Sequence, residues 1–353
     1  MTNDKGIFIK NIYYMLTYAF QSLKQSHYEE VAGEAFEEIQ DLFAAILAKG
    51  IAQQLKQGLY REYVSKQEVR PVLRGRLDMV GTIGQELQRK KRLSCSFDEL
   101  SENNIYNQIL KTTATLLIQH PSVSAVYRKA LRKTMIYFGE VDTLPPRSIR
   151  WDALHFGRAQ QNYELLLNVC YFVLDGMLQT TEQGAYRMAA FSDEHMNLLY
   201  QRFLLAYYEK HKRELGLRKV AAEAIKWDLD ADKPQVGTAF LPKMYTDIVL
   251  KKGEKTLIID AKYYGKTLQT HYQKQTIHSG NLYQIYTYVK NYDNTGSGSA
   301  AGVLLYAKTQ ESIVPDAKYH IGGNCIRALT VDLNREFSEI AYQLNSLVAE
   351  FFD

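Results

Sequence analysis

The chain has 353 residues, of which 46% are hydrophobic and 23% charged, values typical of a soluble globular protein with room for two domains. Its formal net charge of +4 is compatible with nucleic-acid binding without being diagnostic of it. The three cysteines form no CxxC pair, which argues against a zinc knuckle or a redox dithiol. Without a signal segment or a run of about 18 apolar residues, we expect a cytoplasmic protein that does not enter a membrane.

The first part of the chain is predicted to be mostly helical, with a small β region. Helical spacing of apolar residues predicts helices over 7–25, 34–57 and 103–120, with Ser101 as the N-cap of the third. Strand-like pieces lie around 59–64 and 69–77. Pro145-Pro146 interrupts the pattern, so we place a boundary there and expect domains of residues 1–150 and 151–353.

The second part is predicted to mix helices and strands. The helical patterns cover 157–178, 193–213, 281–291 and 337–352, and the strand patterns cover 221–228, 244–250, 256–262 and 302–306. This order indicates an α/β or α+β core, with a mixed sheet flanked by helices.

The most informative stretch is a predicted hairpin, in which Tyr245–Leu250 and Thr256–Lys262 are joined by residues 251–255. Side chains alternate along a strand, so Asp260 and Lys262 are expected on one face. Two carboxylates and an ammonium are costly to bring together without a partner, and a divalent metal would be a natural one. On its own, however, a D-x-K triplet also fits a surface ion pair at the end of a strand.

A predicted helix adds context to this hairpin, because Gln284 and Tyr288 are four residues apart and share a helix face. An acid, a D-x-K triplet and a Q-x-x-x-Y motif follow one another along the chain. In this order of motifs the chain resembles the PD-(D/E)xK nuclease superfamily and its RecB-like branch. The resemblance implies that Asp247 and Asp260 bind Mg²⁺, that Lys262 acts in catalysis on the attacking water, and that Gln284 supports the site. Tyr288 is expected to pack against the sheet.

Further blocks are similar to the McrC family, the nuclease subunits of McrBC modification-dependent restriction systems, over nearly the whole chain. They include Asn11-Ile12-Tyr13-Tyr14-Met15-Leu16, Gly75-Arg76-Leu77, Leu198-Leu199-Tyr200-Gln201-Arg202-Phe203-Leu204, Leu241-Pro242-Lys243-Met244 and Asp260-Ala261-Lys262-Tyr263-Tyr264. This resemblance implies an endonuclease domain at 151–353 that cleaves double-stranded DNA, and an N-terminal domain at 1–150 that docks to a partner. The implied partner is an McrB-like AAA+ GTPase hexamer, whose GTP hydrolysis this subunit stimulates. The chain has no G-x-x-x-x-G-K-[ST] loop, so we expect it to bind no nucleotide alone.

Two groups of residues leave alternatives open. Related nucleases often have a Glu where this chain has Gln201, and Glu194 or Glu209 could instead join the metal site or simply face solvent. The segment Arg70–Arg92 is rich in basic residues, which fits either contact with DNA phosphates or a partner, or a solvated surface loop. Within it, Arg74 and Arg76 flank Gly75 and are the expected contact residues.

Two other functions compete with the endonuclease interpretation. One is a non-catalytic activator of an AAA+ NTPase ring, in which a degenerate nuclease fold serves as scaffold. The intact set of two Asp residues and a Lys argues against it, and the lack of a helix acid keeps it open. The other is a solitary RecB-like DNA repair nuclease, which the long N-terminal region resembling McrC disfavours.

Overall fold

The computed structural model describes residues 3–4, 7–19, 36, 38–156, 161–174, 178–180, 186–188, 193–230, 232–263, 268–271, 274–308 and 314–352. The chain divides into two compact units. The smaller unit is Phe43–Asp175, and the larger unit combines Met1–Leu42 with Gly176–Asp353. The N-terminal segment therefore belongs to the same unit as the C-terminal half.

This division differs from the expected domains 1–150 and 151–353, because long-range packing overrides the proline signal. In the larger unit, the Asn11 amide donates to the carbonyl oxygens of Leu333 (2.8 Å) and Arg335 (2.7 Å). In the smaller unit, the Tyr163 hydroxyl donates to Asn107 Oδ1 at 2.9 Å. Pro145-Pro146 therefore lies inside the smaller unit and not at its border.

The helices of the described residues, in chain order, are α1 (Ile9–Ala19), α2 (Ile39–Gln57), α3 (Met79–Leu87), α4 (Ile105–Gln119), α5 (Ala125–Met135), α6 (Gln161–Leu174), α7 (Asp193–His211), α8 (Ser279–Tyr292) and α9 (Phe337–Phe352). The strands begin with β1 (Asn3–Asp4), β2 (Ile7–Phe8), β3 (Glu62–Arg70), β4 (Arg76–Leu77), β5 (Leu93–Ser101), β6 (Leu178–Thr180), β7 (Tyr186–Met188), β8 (Lys219–Ala221) and β9 (Ala224–Ile225). They continue with β10 (Met244–Tyr245), β11 (Ile248–Lys252), β12 (Lys255–Lys262), β13 (Leu268–His271), β14 (Lys274–Ile277), β15 (Ala300–Ala307), β16 (Ala317–Ile321) and β17 (Asn324–Val331). In the described part of the chain, no helix combines the length and apolar character needed to cross a membrane.

A six-stranded mixed sheet organises the larger unit, in the order β16-β17-β15-β12-β11-β8. Strands β12, β15 and β17 are parallel, whereas β11 pairs antiparallel with both β12 and β8. The predicted hairpin is present with a shorter turn, since Lys252 pairs with Lys255 around Gly253, whose φ is +59°. The predicted α/β class, with a mixed sheet flanked by helices, is confirmed.

Helix α8 packs on one face of this sheet. Its Ile285, Tyr288 and Val289 form a buried cluster with alternate strand residues that include Ile258 and Leu304. Gly302 of β15 permits this close approach, because a Cβ there would lie 2.6 Å from Ile285 Cγ1 and 2.8 Å from Val289 Cγ2. Gly302 of β15 therefore determines how closely α8 packs against the sheet.

A second helical layer also contacts the sheet. Helix α7 contacts β12, β11 and β8, and α9 contacts β17. The two helices are joined by the Tyr208 hydroxyl, which donates to the Leu344 carbonyl at 3.1 Å. The strand residues that alternate with the α8 cluster, such as Leu257 and Ile259, are fully buried, so this second layer covers the other face.

In the smaller unit, a three-stranded antiparallel sheet in the order β3-β5-β4 leads into α4. The N-cap of α4 is Asn104, whose side chain accepts a hydrogen bond from Asn107 N. The prediction of Ser101 as the cap was wrong, because the Ser101 hydroxyl accepts from Asn103 N at 3.1 Å and β5 continues through Ser101. The N-cap therefore lies three residues beyond Ser101, and the helix begins at Ile105.

Candidate functional site

The predicted acidic and basic residues lie together at the open end of the β11–β12 hairpin, where β11 begins and β12 ends. Asp247 immediately precedes β11, and extending the β11–β12 register by one residue sets it opposite Asp260. Asp260 and Lys262 are two apart on β12, and Lys262 Nζ lies 2.9 Å from Asp260 Oδ2. The expectation that these two side chains share a face is met, as strand alternation requires.

Two donors hold Asp247 through one of its oxygens. The backbone N–H of Ala261 donates to Asp247 Oδ2 at 2.8 Å, and Gln201 Nε2 on α7 donates to the same oxygen at 3.2 Å. Asp247 is therefore attached to both β12 and α7. Strand pairing places the carboxylate, and the helix amide fixes its orientation.

Lys262 is held by a chain of hydrogen bonds that leads to α8. Lys262 Nζ donates to Gln284 Oε1 at 3.1 Å, and Gln284 Nε2 donates to the Tyr288 hydroxyl at 2.9 Å. Tyr288 is buried in the core cluster beneath α8. The packing role expected for Tyr288 thus comes with a second one, as an acceptor that fixes the Gln284 amide.

Burial sets the electrostatics of the two acids. Burial raises the pKa of Asp260; the Lys262 charge lowers it, the Asp247 charge raises it, and the net pKa is about 6. Burial also raises the pKa of Asp247, against the opposing effects of the Ala261 N–H, the Lys262 charge and Gln201. Two neighbouring carboxylates with raised pKa values favour a bound proton or a bound cation over two bare charges.

The donor set fits a hard divalent cation. Asp260 is 1% exposed, and the Lys262 ammonium lies 2.9 Å from its buried Oδ2 as an ion pair. Carboxylate oxygens suit Mg²⁺, which is usually bound through one or two carboxylates and completed by water and substrate phosphates. Among the described residues, no group of three or more Asp, Glu, His or Cys side chains forms a larger metal site. Asp247 and Asp260 are thus the residues that could hold such an ion.

The helix that contributes to the site presents an amide and not an acid. Glu194 and Glu209 are exposed and lie seven and eight residues from Gln201, roughly 10–12 Å along the helix axis. Gln201 contacts Asp247, and Asn197 one turn earlier accepts a hydrogen bond from Tyr263 N at 2.8 Å. Their four-residue spacing indicates that Asn197 and Gln201 share one face of the helix. No pattern in the sequence identifies Asp247 as the acceptor for Gln201, or Tyr263 N as the donor to Asn197.

The two arginines of the basic segment lie in the smaller unit and differ in their contacts. The Arg74 guanidinium lies 4.0 Å from the Phe97 ring centroid and 3.4 Å from Glu99 Oε1, whereas Arg76 is exposed at the start of β4. Gly75 between them has a φ of +70°, and a Cβ there would lie 2.5 Å from that of Phe97. The surface-loop interpretation of Arg70–Arg92 was wrong for its middle, which forms β4 and α3.

Helix α3 has an unusual surface. None of its residues is buried. Val80 and Leu87 are 84% and 81% exposed, and Met79 and Ile83 are also exposed. Met79, Ile83 and Leu87 follow one another at four-residue spacing, so they form an apolar stripe along one side of the helix. We call these four residues the α3 apolar surface. The basic residues on either side of it were identified from the sequence, whereas this surface was not.

Comparisons with known proteins bear on both units. The family model described as "McrBC 5-methylcytosine restriction system component" matches residues 3–307. The chain is 31% identical, over 349 residues and 97% of each chain, to an Escherichia coli K12 protein described as type IV methyl-directed restriction enzyme EcoKMcrBC. A structure of a half-complex of Thermococcus gammatolerans McrB AAA+ hexamers with bound McrC matches with a TM-score of 0.52 and 18% identity. That match covers 98% of this chain and 76% of the other, and at this identity it supports the fold.

The raised pKa of Asp260 predicts how stability depends on pH in the absence of divalent cations. An unfolded Asp has a pKa of about 3.9, so between about pH 4 and the folded value of about 6 the folded chain binds the proton more tightly. The contribution of this group to stability therefore falls as pH rises through that window. Replacing Asp260 by Asn removes the dependence, on the order of 2–3 kcal/mol at most.

Denaturant unfolding in EDTA between pH 4 and 8 measures this effect. The stability of Asp260→Asn relative to the unsubstituted chain should rise with pH from about 4 to 6 and then level off. The matched control is Asp316→Asn, since Asp316 is exposed in the same unit. Parallel pH curves for the unsubstituted chain and Asp260→Asn would contradict the assigned environment.

Proposed function

Because the chain belongs to the family of McrBC 5-methylcytosine restriction system components, we propose that it is the Mg²⁺-dependent DNA endonuclease subunit of a modification-dependent restriction complex. The observation that carries this proposal is the cluster of Asp247, Asp260 and Lys262 at one end of the central sheet. A buried acid next to a partly buried acid and a partly buried ammonium is costly to maintain for stability alone. Such a cluster is expected where perturbed groups serve a reaction.

Each residue has a distinct part in phosphodiester hydrolysis. Asp247 and Asp260 would hold the cation, which when bound lowers the pKa of water and polarises a phosphate oxygen. Lys262 places a positive charge beside Asp260, where it stabilises the negative charge that develops on phosphate oxygens during attack. Its ammonium also orients the attacking water through its N–H donors.

Gln284 and Tyr288 act as the support of Lys262. A lysine side chain has many rotamers, and fixing it in one geometry costs conformational entropy. The hydrogen bond to Gln284 Oε1 fixes the ammonium, and Gln284 is fixed in turn by Tyr288. Because Tyr288 belongs to the core under α8, the position of Lys262 is set by a rigid element of the fold.

The proposal includes a partner that supplies nucleotide hydrolysis. The related Thermococcus structure is described as McrB AAA+ hexamers with bound McrC. This chain has no P-loop sequence, so we assign GTP hydrolysis to an McrB-like AAA+ hexamer, which this subunit stimulates. Double-stranded DNA, recognised by its modification through the partner, is the proposed substrate.

We assign partner docking to the smaller unit, Phe43–Asp175, which takes the place of the sequence-based domain 1–150. Its α3 apolar surface is the supporting observation, because contiguous exposed apolar residues on one helix mark an interaction site more often than isolated ones do. The exposed Arg76 lies three residues before the start of this helix and adds positive charge for contact with the partner or with DNA. Arg74, held by Phe97 and Glu99, shapes the same segment.

Asp260→Asn separates the two roles in one experiment. With partner, GTP, Mg²⁺ and modified DNA, cleavage should fall by at least about a hundredfold, because one of the two carboxylates that hold the cation is lost. Stimulation of GTP hydrolysis should be unchanged, since the substitution lies outside the smaller unit. Cleavage and GTP hydrolysis are measured in the same reactions, with Asp316→Asn as the control.

Three results would contradict this proposal in different ways. Cleavage by Asp260→Asn at the rate of the unsubstituted chain would remove the site assignment. Stimulation of GTP hydrolysis without cleavage by the unsubstituted chain would favour the non-catalytic activator. Cleavage that needs no partner would favour a solitary nuclease.

A double substitution tests the docking role of the α3 apolar surface. Val80→Asp with Leu87→Asp puts two charges on it, and the chain concentration that half-maximally stimulates GTP hydrolysis should rise at least about tenfold. Val126→Asp is the matched control, because Val126 is 72% exposed on α5 of the same unit. If the double variant titrates like Val126→Asp, the partner docks elsewhere.

A further inference from the structure

The Gln201 side chain links α7 to Asp247, with Gln201 Nε2 at 3.2 Å from Asp247 Oδ2. We propose that Gln201 is a positioning residue, which holds the Asp247 carboxylate in the orientation that binds the divalent cation. The inference rests on the proposed function, because it deepens the role of the same site. Gln201 is thus an uncharged helix residue that would affect cation binding through Asp247.

The orientation of the Gln201 side-chain amide follows from the carboxylate of Asp247 that it contacts. An ionised carboxylate only accepts hydrogen bonds, so the NH₂ end of the amide faces Asp247 and the carbonyl oxygen points away. Ala261 N donates to the same Oδ2 atom at 2.8 Å. With both donors on Oδ2, rotation of the carboxylate is restricted, and neither donor occupies Oδ1.

The helix that carries Gln201 is itself firmly placed. Tyr200, Phe203 and Leu204 around it are fully buried. One turn earlier, Asn197 Oδ1 accepts from Tyr263 N at 2.8 Å, just beyond the end of β12. Asn197 and Gln201 thus attach α7 both to Tyr263, three residues beyond Asp260, and to Asp247 itself.

Loss of the Gln201 donor should act on cation binding more than on folding. A group that orients a metal-binding carboxylate typically affects metal affinity by about 10–100-fold. Gln201 is only partly buried, so Gln201→Met, of similar length without a donor, should leave the fold intact. Gln201→Asn provides a second variant, because its amide is one CH₂ shorter and does not reach Oδ2.

Calorimetric titration of the full chain with Mg²⁺ alone, without DNA, is the first measurement. The dissociation constant should be about tenfold higher for Gln201→Met and Gln201→Asn than for the unsubstituted chain, with unchanged melting temperatures in EDTA. Glu209→Gln, an exposed residue of the same helix, should bind Mg²⁺ like the unsubstituted chain. The second measurement is cleavage with the partner, in which the half-saturating Mg²⁺ concentration should rise about tenfold while kcat at saturating Mg²⁺ is kept.

The outcomes separate this inference from the proposed function. Unchanged Mg²⁺ affinity in the Gln201 variants, a fall in kcat with an unmoved Mg²⁺ midpoint, or no Mg²⁺ binding by the unsubstituted chain would overturn the positioning role. Weakened Mg²⁺ binding in the Gln201 variants together with no DNA cleavage by any form of the chain would overturn the nuclease proposal alone. Weakened binding with the shifted midpoint supports both.

Discussion

Two carboxylates that lie next to each other away from water repel, and each also loses its hydration. Asp247 and Asp260 are in this situation at the end of the β11–β12 hairpin, where burial raises both pKa values. The surrounding structure offsets part of this cost with one ammonium, one backbone N–H and one helix amide. In the proposed function, a bound cation supplies the rest of the offset. The other contacts at this site follow from that requirement.

Three layers of the larger unit meet in those contacts. The sheet supplies the acids and Lys262, α7 supplies Gln201 and Asn197, and α8 supplies Gln284 with Tyr288 beneath it. Gly302 permits α8 to approach the sheet closely, which brings Gln284 within reach of Lys262. A site built from rigid elements in this way holds its geometry before any ligand binds. In the proposed function, the partner then has to deliver DNA and need not assemble the cluster.

Local patterns predicted much of this arrangement. Strand alternation placed Asp260 and Lys262 together, and the four-residue spacing of Gln284 and Tyr288 placed both on one helix face. Helix α9 has the predicted bounds, 337–352. What failed depended on distant residues: the Asn11 bonds to the carbonyls of Leu333 and Arg335 join segments more than 300 residues apart, and no local signal marks them. The contact of Gln201 with Asp247 is of the same kind, since it depends on where α7 packs. Strand β17 was not predicted either, although it pairs parallel with β15 in the central sheet.

Locating a bound divalent ion would show most directly whether Asp247 and Asp260 hold it. Crystals of the chain soaked in Mn²⁺ and measured at the manganese absorption edge would show where a divalent ion binds. We expect an anomalous peak within bonding distance of carboxylate oxygens from both Asp247 and Asp260, and its loss in Asp260→Asn. Ordered Mn²⁺ elsewhere on the chain, with no peak at these two carboxylates, would contradict it.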